Sequence, residues 1–179
     1  MTMTTTEPKV WIGCLACYNG GRLTGDWVDA TEAADYVPCR RTEYGSPHEE
    51  WWVMDHEGFG GMLTGECSPA EAQQMAEILE RVESEIGAGA EAFGAFVDHY
   101  GRPSGSEGWD DIATAFENAY EGTHESLVAY VAELGEGSGQ IPDDFPYRID
   151  WESEAHDFEC EGWYTAPAAG GSVHIFRPV

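Results

Sequence analysis

The 179-residue sequence predicts an α+β protein, and three observations carry that prediction. Apolar, strand-like runs punctuated by glycine turns occupy both ends of the chain. The middle follows a helical apolar period with clear start and stop signals. A composition that is 42% apolar and 12% aromatic supplies enough apolar mass for packed units rather than disorder. The order is α+β, then helices, then helices with strands. It divides into parts over residues 8–66, 67–105 and 106–179, with no internal repeat at a solenoid period.

Each element follows from local chemistry. Residues 9–18, KVWIGCLACY, read as a buried strand, and Asn19-Gly20-Gly21 as the turn into a second strand over 22–30. A short helix over 31–36 is stopped before Pro38, and EEWWVMD (49–55) is a third strand followed by the glycine-rich turn EGFGG. Ser68-Pro69-Ala70-Glu71 is a helix start with an N-cap, a proline at the first helical position and a capping box. That helix runs to Ile86, with Met75, Leu79, Val82 and Ile86 predicted to face the core. A helix over 90–100 turns Phe93, Phe96, Val97 and Tyr100 inward and ends at Gly101, before a linker over 102–108. Helices over 108–121 and 124–134 follow, separated at Gly122. The first gathers Trp109, Ile112, Ala115, Phe116, Ala119 and Tyr120 on one side; the second gathers Leu127, Tyr130, Val131 and Leu134. A loop to residue 146, a strand at YRIDW (147–151), a helical turn or two in SEAHDFE, and closing strands over 162–166 and 172–178 complete the chain.

The composition excludes several classes of function. No apolar run is long enough to span a bilayer, and MTMTTTEPK lacks the apolar core of a signal peptide, so a cytoplasmic protein is expected. The five cysteines (Cys14, Cys17, Cys39, Cys67 and Cys160) are odd in number and scattered, which argues against a disulfide framework. Cys14 and Cys17 form a C-x-x-C. Zinc would need two further ligands, no second pair stands at metal spacing, and the thiols are read as structural, with no metal or cofactor expected. No nucleophile elbow, phosphate loop or H-E-x-x-H is present. Asp55-His56-Glu57 reads as surface polar residues, because adjacent strand residues point to alternate faces. With 34 acids some carboxylate pair always lies close, so glycosidic chemistry has no specific support but stays open as an alternative.

The net charge is −26, and its distribution says more than its size. Residues 42–147 hold 23 acids and two bases, Arg81 and Arg102, whereas the remaining residues hold 11 acids and six bases. Glu107 to Glu136 carries eight carboxylates and no Lys or Arg, although mixed charges at i,i+4 would gain about 0.2–0.5 kcal/mol per pair. Such a surface repels nucleic acid and anionic membrane and attracts a cationic partner. Carboxylates on successive helical turns are about 5.4 Å apart along the axis. Duplex DNA carries about one charge per 1.7 Å, a density that several acidic ridges side by side would approach. DNA mimicry is therefore one reading. The alternative is a salt-adapted acidic protein with a binding role other than DNA mimicry, to which the single Lys9 also conforms.

The strings themselves favour the first reading. VWIGCLACYNGGRLTGDWVDA resembles the N-terminal signature of the ArdA antirestriction family, Y-N-x-G-x-L-x-G-x-W-x-D-A, at Tyr18, Asn19, Gly21, Leu23, Gly25, Trp27, Asp29 and Ala30. EEWWVMDHEGFGG, AFENAYEGTHESLVAYVAEL, IPDDFPYRIDWESEAHDFE and GSVHIFR resemble later family motifs in order along nearly the whole chain. Cys14 and Cys17 are departures, as are Arg148 inside the expected strand and His156 where the family usually has Arg.

The resemblance implies an elongated, non-enzymatic protein of three small domains that dimerises through the C-terminal one. It would mimic bent DNA and occupy the DNA-binding groove of type I restriction–modification enzymes, chiefly the methyltransferase core. Such proteins travel on mobile elements and act in the cytoplasm. The carboxylates expected to stand in for phosphates are Glu77, Glu80, Glu83, Asp98, Asp110, Glu117, Glu121 and Glu125. Ile141, Phe145 and Tyr147 are candidates for the dimer interface, with ordinary core packing as their alternative.

Overall fold

The computed structural model describes residues 7–43, 46–103, 108–139 and 148–179. The interface candidates Ile141, Phe145 and Tyr147 lie outside the described residues. The fold is α+β, with small antiparallel sheets and short helices in two compact units, Met1–Ala113 and Thr114–Val179.

The first unit is built on a three-stranded antiparallel sheet of order β2-β1-β5, with β1 at Lys9–Cys14, β2 at Gly25–Asp29 and β5 at Trp51–Glu57. Between them lie the two-residue strands β3 (Thr42–Glu43) and β4 (Ser46–Pro47). Val10, Ile12 and Val53 face inward and are fully buried. The strand expected over 9–18 stops at Cys14, where the chain turns into helix α1 (Leu15–Asn19). This places Cys17 on a helix rather than a strand. At the end of β1, Cys14 N–H bonds to Thr24 O and Leu15 N–H to Glu50 O, and Gly20 and Arg22 then close the turn on Ala16 and Cys17.

Helix α2 (Pro69–Ile86) packs on β5 and on the 3₁₀ turn Ala30–Asp35 that follows β2. Its capping box is fully formed: Glu71 N–H donates to Ser68 Oγ at 3.2 Å, and Ser68 N–H to the Glu71 carboxylate at 2.9 Å. The buried face comprises Ala72, Ala76, Ile78, Leu79 and Val82, so small residues carry part of the contact expected of Met75 and Ile86. Helix α3 (Ala90–Tyr100) buries Phe93, Phe96 and Val97, while Tyr100 stays exposed and stacks on Phe96 at 5.1 Å. Gly94 of α3 lies against the backbone of Gly60, and a Cβ there would stand 1.8 Å from the Gly60 carbonyl oxygen. The glycine-rich turn and the helix glycine are thus two halves of one close contact.

Helix α4 (Gly108–Ala119) leads into the second unit. There the expected helix to residue 121 ends early, and β6 (Tyr120–His124) pairs with β8 (Val173–Phe176), which pairs with β7 (Tyr164–Pro167). Gly122, at φ 108°, sits in a bulge of β6 rather than in a break between helices. Helix α5 (Leu127–Gly137) buries Leu127, Tyr130 and Val131 against Ala155 and Ile175. The strand expected at 147–151 is not formed over its described part: residues 148–150 are irregular and Trp151 begins helix α6 (Trp151–Cys160). Asp150 caps that helix by accepting from Ser153 N–H at 3.2 Å, and Glu152 and Glu154 in its first turn suit the helix dipole.

Candidate functional site

The acidic residues singled out by the sequence occupy both units. Glu77, Glu80 and Glu83 lie on α2, Asp98 on α3 and Asp110 on the first turn of α4; Glu117 is on the second half of α4, Glu121 on β6 and Glu125 just before α5. All are exposed except Glu121, which is half-buried. Their freedom differs. Arg81 donates to Asp110 at 2.8 Å, and Arg102 lies 3.5 Å from Asp98. The two bases of the central segment therefore each face one of the predicted carboxylates. Arg102 is further tied down by its bonds to the Gly61 and Met62 carbonyls, which make it a clamp on the 58–62 turn. Glu121 accepts from Tyr130 Oη at 3.0 Å and lies 3.5 Å from Arg177. Its carboxylate is thereby part of the second unit's packing, and it contributes less open charge than its place in the sequence suggested. Glu77 takes the Gln73 amide at 2.9 Å. Glu80 and Glu83 line a cleft with Glu7 and Asp29.

The motif residues of the N-terminal sheet divide by role. Asp29 caps the 3₁₀ turn, accepting from Thr31 N–H at 3.0 Å and Thr31 Oγ1 at 2.7 Å, and these bonds hold its carboxyl below the ordinary carboxylate value. Ala30 is fully buried beside it. Tyr18, Leu23 and Trp27, by contrast, are large apolar residues that stand exposed. In the second unit Phe116 stacks on Tyr120 at 5.0 Å and meets Phe176. The buried His174 Nδ1 lies 3.0 Å from Thr123 Oγ1 and 3.3 Å from Tyr120 Oη.

One group of side chains escaped the sequence reading. Cys14 and Cys17 are joined by Cys39 and His48 in a cluster whose members are between 0% and 6% exposed. Burial pushes the Cys14 thiol up, whereas Cys17 is drawn down to about 6, first by its hydrogen bond with Thr24 and then by Cys39, Cys14 and His48. Cys39 and His48 stand singly in the sequence, so no pairwise spacing marked them; only the fold gathers them.

A family model for the antirestriction protein ArdA matches residues 10–171. The chain belongs to the ArdA family. The match reaches into both compact units and covers the motifs from Tyr18 onward except the last, whose strand β8 (Val173–Phe176) lies beyond it. No curated protein is similar enough to register as a relative. Members of the ArdA family are inhibitors rather than enzymes, and membership implies antirestriction activity through interaction with type I restriction–modification enzymes. Among the described residues no helix is long and apolar enough to cross a membrane.

Proposed function

We propose that this ArdA-family chain inhibits type I restriction–modification enzymes as a DNA mimic, seating exposed carboxylates in the DNA-binding groove of the methyltransferase core. The observation that carries the reading is the segregation of charge: residues 42–147 hold 23 acids against two bases, and both of those bases are engaged by Asp98 and Asp110. Glu77, Glu80, Glu83, Glu117 and Glu125 then present negative charge on helix faces and a helix approach, standing in for phosphates. Each exposed contact contributes little, about 0–1 kcal/mol, so affinity is built from many screened interactions. The acting species is a homodimer joined through the C-terminal domain, working in the cytoplasm of a cell receiving a mobile element. It is organised in three small parts along the chain. It needs no cofactor for inhibition and binds neither nucleic acid nor membrane.

The test is a restriction-protection assay with a type I nuclease, paired with competition binding between the chain and duplex DNA on the methyltransferase core. Inhibition that weakens steeply with salt and is relieved by DNA is expected. Salt-independent binding, or DNA and the chain bound together, would refute mimicry. Salt adaptation would show itself instead as folding stability rising strongly into molar salt with no inhibition.

A further inference from the structure

Cys14 ends β1, Cys17 lies on α1, Cys39 follows the 3₁₀ turn and His48 comes just before β5, so four separate segments deliver one polar atom each to the same buried point. These atoms all lie within 4.8 Å of one another. His48 Nδ1 stands 3.3 Å from Cys14 Sγ, 3.5 Å from Cys17 Sγ and 3.6 Å from Cys39 Sγ, and Cys17 Sγ is 3.6 Å from Cys39 Sγ. A tetrahedral zinc ion with Zn–S of about 2.3 Å and Zn–N of about 2.0–2.1 Å requires S···N edges of about 3.6 Å and S···S edges of about 3.8 Å. The four edges above match that polyhedron to within about 0.3 Å. We propose that Cys14, Cys17, Cys39 and His48 form a closed structural zinc site, with three thiolate sulfurs and His48 Nδ1 as its ligands.

The alternatives explain less. A thiol in an ordinary core behaves as a small apolar group with a weak S–H donor, which gives no reason for three of them to converge on one imidazole nitrogen. A Cys17–Cys39 disulfide would need the sulfurs at about 2.05 Å and would leave Cys14 and His48 without a purpose. The surroundings also suit metal-bound sulfur. Arg41 N–H donates to Cys39 Sγ at 3.4 Å, and Thr24 hydrogen-bonds Cys17, the kind of outer contacts that hold thiolate ligands in place. Trp51 and Ala16 pack against the cluster.

Zinc with three thiolates leaves one net negative charge, each thiol giving its proton to solvent on binding. Arg22, Arg40 and Arg41 flank the ligands in sequence, which accounts for part of the basic charge kept at this end of an otherwise acidic chain. All four positions are filled by protein, so the site has no open place for substrate and its role is to fold the chain. It pins the segment that holds β3 and β4, strands of only two residues each, where sheet pairing alone gives little. Because Cys14 and Cys17 depart from the family motifs, the site is a property of this chain beyond its antirestriction role.

The full chain, purified under reducing conditions without chelator, is expected to carry one zinc per molecule by elemental analysis. Cobalt exchange should give the thiolate-to-metal charge-transfer and intense ligand-field bands of a tetrahedral sulfur-rich site. Cys17→Ser and His48→Ala should lose the stoichiometric metal, while Cys67→Ser and Cys160→Ser keep it. Since the first two also alter the core, the unmutated chain supplies an independent readout: EDTA should lower its melting temperature, and one equivalent of zinc should restore it. A purified folded chain without stoichiometric metal, cobalt spectra lacking charge transfer, or a mass showing an intact Cys17–Cys39 disulfide would overturn the proposal.

Discussion

Replacing Gly94 by alanine separates what helix propensity says from what the fold says, because the two disagree in sign. Gly94 lies inside α3, where alanine gains about 1 kcal/mol by propensity alone. In the structure, the new Cβ would stand 1.8 Å from the carbonyl oxygen of Gly60 and 2.8 Å from its carbonyl carbon. An ordinary C···O approach is about 3.3–3.6 Å, so roughly 1.5 Å of separation must be found. Both partners are backbone, and no side-chain rotation relieves the contact. Gly60 sits in a turn whose neighbours Gly61 and Met62 are held by Arg102, and α3 is held by the fully or nearly fully buried Phe93, Phe96 and Val97. Overpacking of this kind costs about 1–3 kcal/mol, with the upper end expected here because two rigid elements must part. The expected net loss is about 2 kcal/mol, which lowers the melting temperature of a chain this size by about 4–8 °C. Thermal melts followed by circular dichroism, with urea unfolding as a cross-check, measure it. Gly137→Ala at the end of α5 is the control: nothing lies within 4 Å of its Cβ position, and it should be neutral or gain up to about 1 kcal/mol. A Gly94→Ala chain as stable as its parent would refute the close-contact reasoning.

Other expectations follow from the same contacts. Ser68→Ala should cost about 1 kcal/mol at neutral pH by removing the cap of α2. Because Ser68 holds the Glu71 pKa below its ordinary 4.5, that contribution is fully present above pH 4.5 and is lost as pH falls through the lowered folded value. The gap between parent and variant should therefore narrow in acid, as urea midpoints at pH 7 and pH 3 would show. Burial raises the Tyr36 and Tyr130 phenols to about 12 and Tyr164 further still, so their neutral forms stabilise the fold below pH 10, and that contribution is lost as pH rises beyond it. Ultraviolet titration should show these phenols ionising together with unfolding; ionisation near 10 in the folded chain would contradict the burial. Single changes among Glu77, Glu80, Glu83, Glu117 and Glu125 to Gln should alter restriction protection by less than about fivefold, about 1 kcal/mol at most. All five together should abolish it, and loss from one alone would point to a specific contact instead of mimicry.

How much of this was legible in the residues depends on the range of the forces involved. Signals confined to neighbouring residues were largely readable: the Ser68 capping box, the helix end at Ile86, and the inward turn of Phe93, Phe96, Val97, Leu127, Tyr130 and Val131 are as the sequence implies, whereas Tyr100 and Leu134, expected inward, stand exposed. The α+β class and the ArdA family were likewise carried by pattern and motif. Two elements form otherwise than the sequence reading expected. Tyr120 and Glu121 continue the helical period of α4, yet they form β6 because the β8 edge offers a backbone ladder that local propensity cannot register. Trp151 opens a helix rather than closing a strand, because Asp150 caps it.

The central acidity and its few cations were set by the sequence alone, since charge is counted before any folding. Which carboxylates remain open was settled by tertiary placement, because Arg81 meets Asp110 across 29 residues and Arg177 reaches Glu121 only once β8 lies beside β6. The same holds for the cysteines. A C-x-x-C with no partner pair carries no metal signal, and only a fold that closes sequence separations of 22 from Cys17 to Cys39 and 9 from Cys39 to His48 brings these isolated side chains into the proposed coordination shell.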